Sequence, residues 1–136
     1  MDEDSVAWDD AFSVGFALID DQHKELVAMT NELFNGCKRG AIAADISFIK
    51  TIRKAVEYAK THFATEEDYM GRVNYPDLDA HKEFHSQFVT QVAGALKEFE
   101  GGSTAPIHMA RFLKEWLLNH IAVADKKYAP YLESFK

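Results

Sequence analysis

Six histidines punctuate the 136-residue chain, and five of them fall on apolar stripes. His23 opens the stripe 23, 26, 30, 33 and 37. His62 and Glu66 lie within 48, 52, 55, 59, 62, 66 and 70. His81 and His85 lie within 78, 81, 85, 88, 92 and 95. His120 lies within 109, 113, 116, 117, 120 and 124, and Asp125 follows it closely. Residues three and four apart share one face of a helix, so these polar side chains point where the leucines and phenylalanines point. A buried carboxylate without a partner costs several kcal/mol or takes up a proton, and buried imidazoles need partners of their own. A multivalent cation answers both demands, and bundles build metal sites in this way from side chains on facing helices. One such histidine alone reads as a satisfied core residue, and His62 with Glu66 as a hydrogen-bonded pair. Five converging on one interior read as ligands. His108 lies off the His120 stripe, near the start of the last segment, and is expected in solvent.

Five imidazoles and two carboxylates are too many for one ion, since tetrahedral zinc takes four ligands and a catalytic zinc three. Two six-coordinate ions present twelve donor positions. Two bridging carboxylates, five imidazoles and a bridging hydroxide or oxide fill all but one. The donor set therefore implies a dinuclear centre with a single open position. Imidazole with carboxylate suits iron among the redox metals, and leaves manganese and zinc open.

The elements that must position these side chains are four long helical segments at about 19–37, 45–71, 77–100 and 105–128, with no period-two strand pattern. Gly36 and Gly40 end the first segment. Gly71 to Pro76 break the second from the third. Gly101-Gly102-Ser103-Thr104 break the third from the fourth, with Pro106 placed at a helix start. Asp45 and Asp77 stand where N-caps are expected. Short loops make sequential helices antiparallel neighbours, so the fold expected is an all-α, antiparallel up-down-up-down four-helix bundle. Residues 1 to about 18, with Trp8, Phe12, Phe16 and Gly15, show no sustained helical period and read as an ordered N-terminal arm packed on a single domain spanning 1–136.

Composition removes several alternatives. The chain carries 22 acids against 15 bases, a formal charge of −7, which disfavours nucleic acid and anionic membrane surfaces as partners. The single cysteine, Cys37, excludes an intramolecular disulfide and a thiolate metal site. The acidic N-terminus lacks the pattern of a signal peptide, and no apolar run approaches a spanning helix, so no membrane insertion and a cytoplasmic location are expected. In His81-Lys82-Glu83-Phe84-His85 the glutamate is one place late for a zincin motif. No histidine has a glutamate three residues before it, as the ferritin-like di-iron carboxylate proteins require.

Trp8…Phe12…Gly15, Ile19-Asp20-Asp21-Gln22-His23-Lys24-Glu25-Leu26, His62-Phe63-Ala64-Thr65-Glu66-Glu67, His81-Lys82-Glu83-Phe84-His85, Trp116-Leu117-Leu118-Asn119-His120-Ile121-Ala122-Val123-Ala124-Asp125 and the Tyr128…Pro130-Tyr131 tail together resemble the hemerythrin family in its single-domain bacterial form. The likeness covers nearly the whole chain. It implies a non-haem di-iron centre in which His81, His85 and His120 hold a coordinatively filled iron. His23 and His62 hold the iron with the vacancy, and Glu66, Asp125 and an oxo or hydroxo group bridge the two. His120 and Asp125 are then about 140° apart on a regular helix, so a bulge or loosened turn is expected between them.

The resemblance implies reversible dioxygen binding, with the gas held as hydroperoxide on the open iron, and small anions such as azide or chloride as ligands of the same position. Leu26, Phe63, Trp116, Leu117 and Ile121 then line the dioxygen pocket and keep it dry, and Tyr128 covers the site by packing. Five neutral imidazoles donate less charge than the carboxylates of di-iron oxygenases, which disfavours O–O cleavage. The function expected is therefore that of a binding protein rather than an enzyme. It would act as an oxygen carrier or supplier, with an oxidase as partner, or as the sensing domain of a signalling chain. A di-iron enzyme consuming peroxide or nitric oxide is the alternative.

Overall fold

A computed structural model describes residues 6–102 and 105–135 of the chain. Four long helices form an antiparallel up-down-up-down bundle, and no strand occurs among the described residues. Helix α1 is Ala17–Lys38. Helix α2 runs through 41–72, with a π-helical turn Ala59–Phe63 between the α-helical stretches Ala41–Tyr58 and Ala64–Arg72. Helix α3 is Leu78–Glu100. Helix α4 runs through 106–128, α-helical over Pro106–Trp116, π-helical over Leu117–Asp125 and α-helical again over Lys126–Tyr128. A 3₁₀ stretch, Ala129–Phe135, follows. Helix α1 packs along α2 and also against α4. No helix is long and apolar enough to cross a membrane among the described residues.

The helix starts differ from those expected. Helix α1 begins two residues early and continues through Gly36 to Lys38. Gly36 marks a close approach instead of an end, because a Cβ there would run into the Ser47 side chain on α2. Gly40 makes the turn, with φ of 108°, a conformation that favours glycine. Helix α2 therefore starts at Ala41 and leaves Asp45 inside the helix, not at its cap. Asp77 does occupy the N-cap of α3 but makes no side-chain capping bond. Pro106 takes the first turn of α4 as expected. Ser103 and Thr104, in the turn before it, lie outside the described residues.

Of the arm, residues 6–16 are described, and its first five residues lie outside the described set. Val6 N–H donates to Asn31 Oδ1 at 2.7 Å, and Asn31 Nδ2 donates to the Val6 carbonyl at 2.6 Å. The Asp20 carboxylate accepts from Val14 N–H at 2.8 Å and Ser13 Oγ at 2.5 Å. The arm is thus tied to the turn of α1 that leads into His23.

Two apolar cores lie on either side of the polar stripe positions. The larger holds Leu26, Leu33, Phe48, Phe63, Phe88, Leu113, Trp116 and Ile121. The smaller holds Val14, Ile19, Met70, Tyr75, Tyr128 and Leu132. Along α1 the order is Ile19, His23, Leu26. Along α2 it is Phe63, Glu66, Met70, and along α4 it is Ile121, Asp125, Tyr128. Each helix passes from one core through an ionisable layer to the other. Burial of each large apolar side chain is worth roughly 1.5–3 kcal/mol, and this is what holds the polar layer out of water.

Candidate metal centre

His23, His62, Glu66, His81, His85, His120 and Asp125 are all buried, Glu66 and Asp125 completely. His23 Nε2 lies 3.0 Å from Asp125 Oδ2, 3.8 Å from Glu66 Oε2 and 3.0 Å from His62 Nε2. His62 Nε2 lies 2.8 Å from Glu66 Oε1. On the other side, Asp125 Oδ1 lies 2.8 Å from His81 Nε2 and 3.0 Å from His120 Nε2, and His85 Nε2 lies 3.3 Å from Glu66 Oε1. The ligand atoms fall into two compact groups. One is His23, His62, Glu66 and Asp125. The other is Glu66, His81, His85, His120 and Asp125. The two carboxylates belong to both.

The π-helical turns bring this about. On a regular helix the position below His120 is Ala124, but the π segment adds a residue to the turn. Asp125 is buried in its place and Ala124 is only half-buried. The bulge expected between His120 and Asp125 is therefore present. A second one, unanticipated, spans Ala59–Phe63 and lets His62 and Phe63 both face inward.

The donor set fits a cation. Nε2 of His81, His85 and His120, Glu66 Oε1 and both oxygens of Asp125 are buried and make no aligned hydrogen bond, although nitrogen and oxygen stand within hydrogen-bond range. Such atoms are expensive to leave unpaired, and lone pairs gathered without N–H donors between them are what a metal ion satisfies. Without metal, protons take its place. Burial pushes the His23 imidazole down, but Asp125 and Glu66 more than reverse this and raise it to about 9. Burial also lowers His85, and Glu66 and Glu67 turn the balance upward. Burial raises the Glu66 carboxyl, but His62, His23 and His85 hold it well below its ordinary value. Asp125 is raised by burial and by Glu66, and lowered further by His120 and His23, ending below the usual range.

Three residues support the ligands from behind, and of these only Tyr128 was expected, as packing. Gln22 Oε1 accepts from His62 Nδ1 at 2.6 Å, and Glu67 Oε2 accepts from His85 Nδ1 at 2.8 Å. Each partner fixes the tautomer that leaves Nε2 facing inward. The Tyr128 hydroxyl donates to Glu66 Oε2, so it does more than cover the site. Leu26, Phe63, Trp116, Leu117 and Ile121 are all buried in the larger core beside the ligands, and His108 is exposed.

Residues 14–132 match the hemerythrin HHE cation binding domain. The chain belongs to the hemerythrin family. Among relatives, it is 31% identical over 132 residues to a bacteriohemerythrin of Stenotrophomonas maltophilia, covering 95% of this chain and 82% of that one. It is 36% identical over 124 residues to a bacteriohemerythrin of Methylococcus capsulatus, covering 90% of each. A crystal structure of wild-type hemerythrin superposes with a TM-score of 0.78 at 32% identity, over 93% of this chain and 97% of that one. The hemerythrin domain thus accounts for the architecture and for cation binding.

Proposed function

We propose that this hemerythrin domain binds dioxygen reversibly at a pair of iron ions. His81, His85 and His120 would hold one ion and His23 and His62 the other, with Glu66 and Asp125 shared. One observation carries the reading: two ligand groups intersect in two carboxylates and divide five imidazoles three to two. In a pair of like ions, that leaves a coordination position on the His23/His62 side. Ferrous ions held by these residues would supply the two electrons that reversible dioxygen binding requires.

The chain's own residues do the rest. Gln22 and Glu67 hold the Nδ1 protons of His62 and His85, so that each Nε2 is free to ligate. The Tyr128 phenol keeps its proton and donates to Glu66 Oε2, because burial and the nearby carboxylates raise it well above its usual range. Leu26, Phe63, Trp116, Leu117 and Ile121 would line the open position and exclude water, and small anions such as azide or chloride would occupy that same position. The arm is the element through which a sensor would report, since Asp20 links it to the turn preceding His23.

The test is metal analysis followed by anaerobic reduction and exposure to air. About two irons per chain and a visible charge-transfer band that appears with dioxygen and fades under argon are expected. Iron-free folded protein, or a band that never reverses, refutes the proposal. Steady-state turnover of peroxide or nitric oxide would move the reading to an enzyme.

A further inference from the structure

Three of the chain's five tyrosines stand in file from a shared carboxylate to solvent. The Tyr128 hydroxyl donates to Glu66 Oε2, and its ring lies 5.5 Å from that of His81. The Tyr75 ring meets Tyr128 at 6.3 Å and 85°, and Tyr131 at 5.1 Å and 74°. Both are edge-to-face contacts of ordinary spacing. Tyr128 is fully buried, Tyr75 is 6% exposed and Tyr131 44%. Local structure sets this order. Tyr128 ends α4, and Tyr131 follows three residues on in the 3₁₀ stretch, a geometry that aligns residues three apart. Tyr75 comes from the turn between α2 and α3, where its N–H donates to the Met70 carbonyl at 2.9 Å.

Rings on the other side of the ligands do not continue in this way. Tyr58 stacks on His62 at 4.8 Å, and Trp116 on His120 at 4.1 Å. Beyond these imidazoles their ring neighbours are Phe63, Phe88 and Phe112, and both side chains are buried. Phenols and indoles give up one electron far more readily than a benzene ring does. An oxidising equivalent on Tyr58 or Trp116 therefore stays in the larger core, whereas one on Tyr128 has a path of phenols to water. The smaller core also holds Met70, fully buried one turn beyond Glu66. Oxidants convert such a thioether into a polar sulfoxide and disrupt the packing around it.

We propose that Tyr128, Tyr75 and Tyr131 form a one-electron relay, through which hydrogen peroxide at the ferric centre is reduced by a small donor, such as ascorbate, at the protein surface. The relay rests on the reading given under Proposed function, which supplies the oxidant. Two electrons lost from the ferrous pair to dioxygen, with two protons, make hydrogen peroxide and leave both ions ferric. Reduction of that peroxide breaks its O–O bond, takes two further electrons and two protons, and yields two waters. Each electron comes from Tyr128, whose proton passes to Glu66 along the hydrogen bond already made. Tyr75 replaces the electron, and the proton returns from Glu66 to Tyr128. Tyr131 restores Tyr75 in turn, and the proton that Tyr131 gives up goes to water. The donor returns one electron and one proton to Tyr131, so two donor molecules are oxidised for each peroxide.

The test mixes iron-loaded ferric protein with hydrogen peroxide and follows the radical by freeze-quench electron paramagnetic resonance. A nitroso spin trap with peptide mass mapping locates it, and iron content is matched between variants. Wild type should give a phenoxyl signal, carry the trap on Tyr131 and lose the signal quickly when ascorbate is added. Tyr131→Phe changes an exposed ring and leaves the buried links in place. Its phenoxyl signal should outlast that of wild type in ascorbate. Tyr75→Phe keeps the packing and cuts the middle link, so Tyr131 should lose most of its label and Met70 sulfoxide should rise. Iron-loaded wild type without a phenoxyl signal overturns the relay and leaves the dioxygen reading standing. So does Tyr131 labelled as strongly in Tyr75→Phe as in wild type, or a signal that ascorbate removes equally fast from Tyr131→Phe. Protein that takes up no iron overturns both, which keeps the two failures apart.

Discussion

His23 and His62 reach the shared carboxylates as a pair, with the neutral amide of Gln22 behind one of them. His81, His85 and His120 reach the same carboxylates as a trio, with the carboxylate of Glu67 behind one of them. The difference is one of charge as well as number. The trio's half has an extra ligand and a negative outer partner, whereas the pair's half has neither. A site built this way is asymmetric before any ligand arrives, and on the function proposed above the asymmetry would decide which half keeps room for a diatomic. What joins the halves is Glu66 and Asp125, so substitutions of these two should act on both, and substitutions of the imidazoles or their partners on one.

The largest effect is therefore expected from Glu66→Ala. It removes a ligand from both groups and the acceptor of the Tyr128 hydroxyl. Iron should fall to near zero after gel filtration, a greater loss than the roughly 10–100-fold in affinity that follows removal of an outer partner. His23→Ala is the contrast, and should leave the trio's half with a measurable share of its metal. Equal losses in the two variants would show that the halves fill only together.

Ile121→Glu tests the pocket beside the pair. Ile121 is fully buried in the larger core, and a carboxylate there costs several kcal/mol unless it finds a partner. Dioxygen binding should be blocked and the melting temperature lowered. Leu117→Ala, a milder opening, should speed autoxidation followed by visible absorbance. Unchanged kinetics in Leu117→Ala would place the pocket elsewhere.

Acidity separates the metal-free and loaded states. Charged His23 contributes stability to the metal-free fold that is complete below the ordinary imidazole value of 6.5 and is lost as pH rises through about 9. Glu66, held low, contributes stability present above its ordinary value of 4.5 and lost as pH falls through its lowered one. Metal-free protein should thus melt highest between pH 4.5 and 6.5 and lose stability toward pH 9, as thermal melts across that range would show. Metal takes the place of the protons, so iron uptake near pH 7 should release about one or two per chain, read with an indicator dye in weak buffer. No release would mean that the imidazoles are already neutral.

The bundle and its polar layer were legible because both obey one periodicity. A histidine at an apolar position of a 3.6-residue repeat announces burial whatever it meets there. Asp125 needed a further step: only its supposed role beside His120 exposed the mismatch with a regular turn. The π turn at Ala59–Phe63 left no such trace, because His62 and Glu66 are four apart and fit an ordinary helix. Asp45 misled for a local reason: a good capping residue was available, but the left-handed Gly40 had already let the chain reverse. Gln22 reaches His62 from another helix, and Tyr58 was passed over by a stripe that runs through Ala59, one residue beyond it. Contacts made across helices leave no spacing to read.

The smallest effect, and the most direct on the asymmetry, is expected from exchanging the outer partners. Glu67 is about a third exposed, with side-chain accessibility of 31%, so water screens its charge on His85. Glu67→Gln keeps the hydrogen bond and removes the charge, making His85 a weaker donor. The trio's half should then lose metal to a chelator up to about tenfold faster, and its reduction potential should rise. Gln22→Glu adds charge behind His62 and should slow loss from the pair's half and lower the potential. Combining the two substitutions should bring the two rates of metal loss toward each other, because it reverses the charge difference while leaving every ligand in place. If the rates stay as far apart as in wild type, the number of imidazoles alone sets the difference, and the outer partners serve only to fix tautomers.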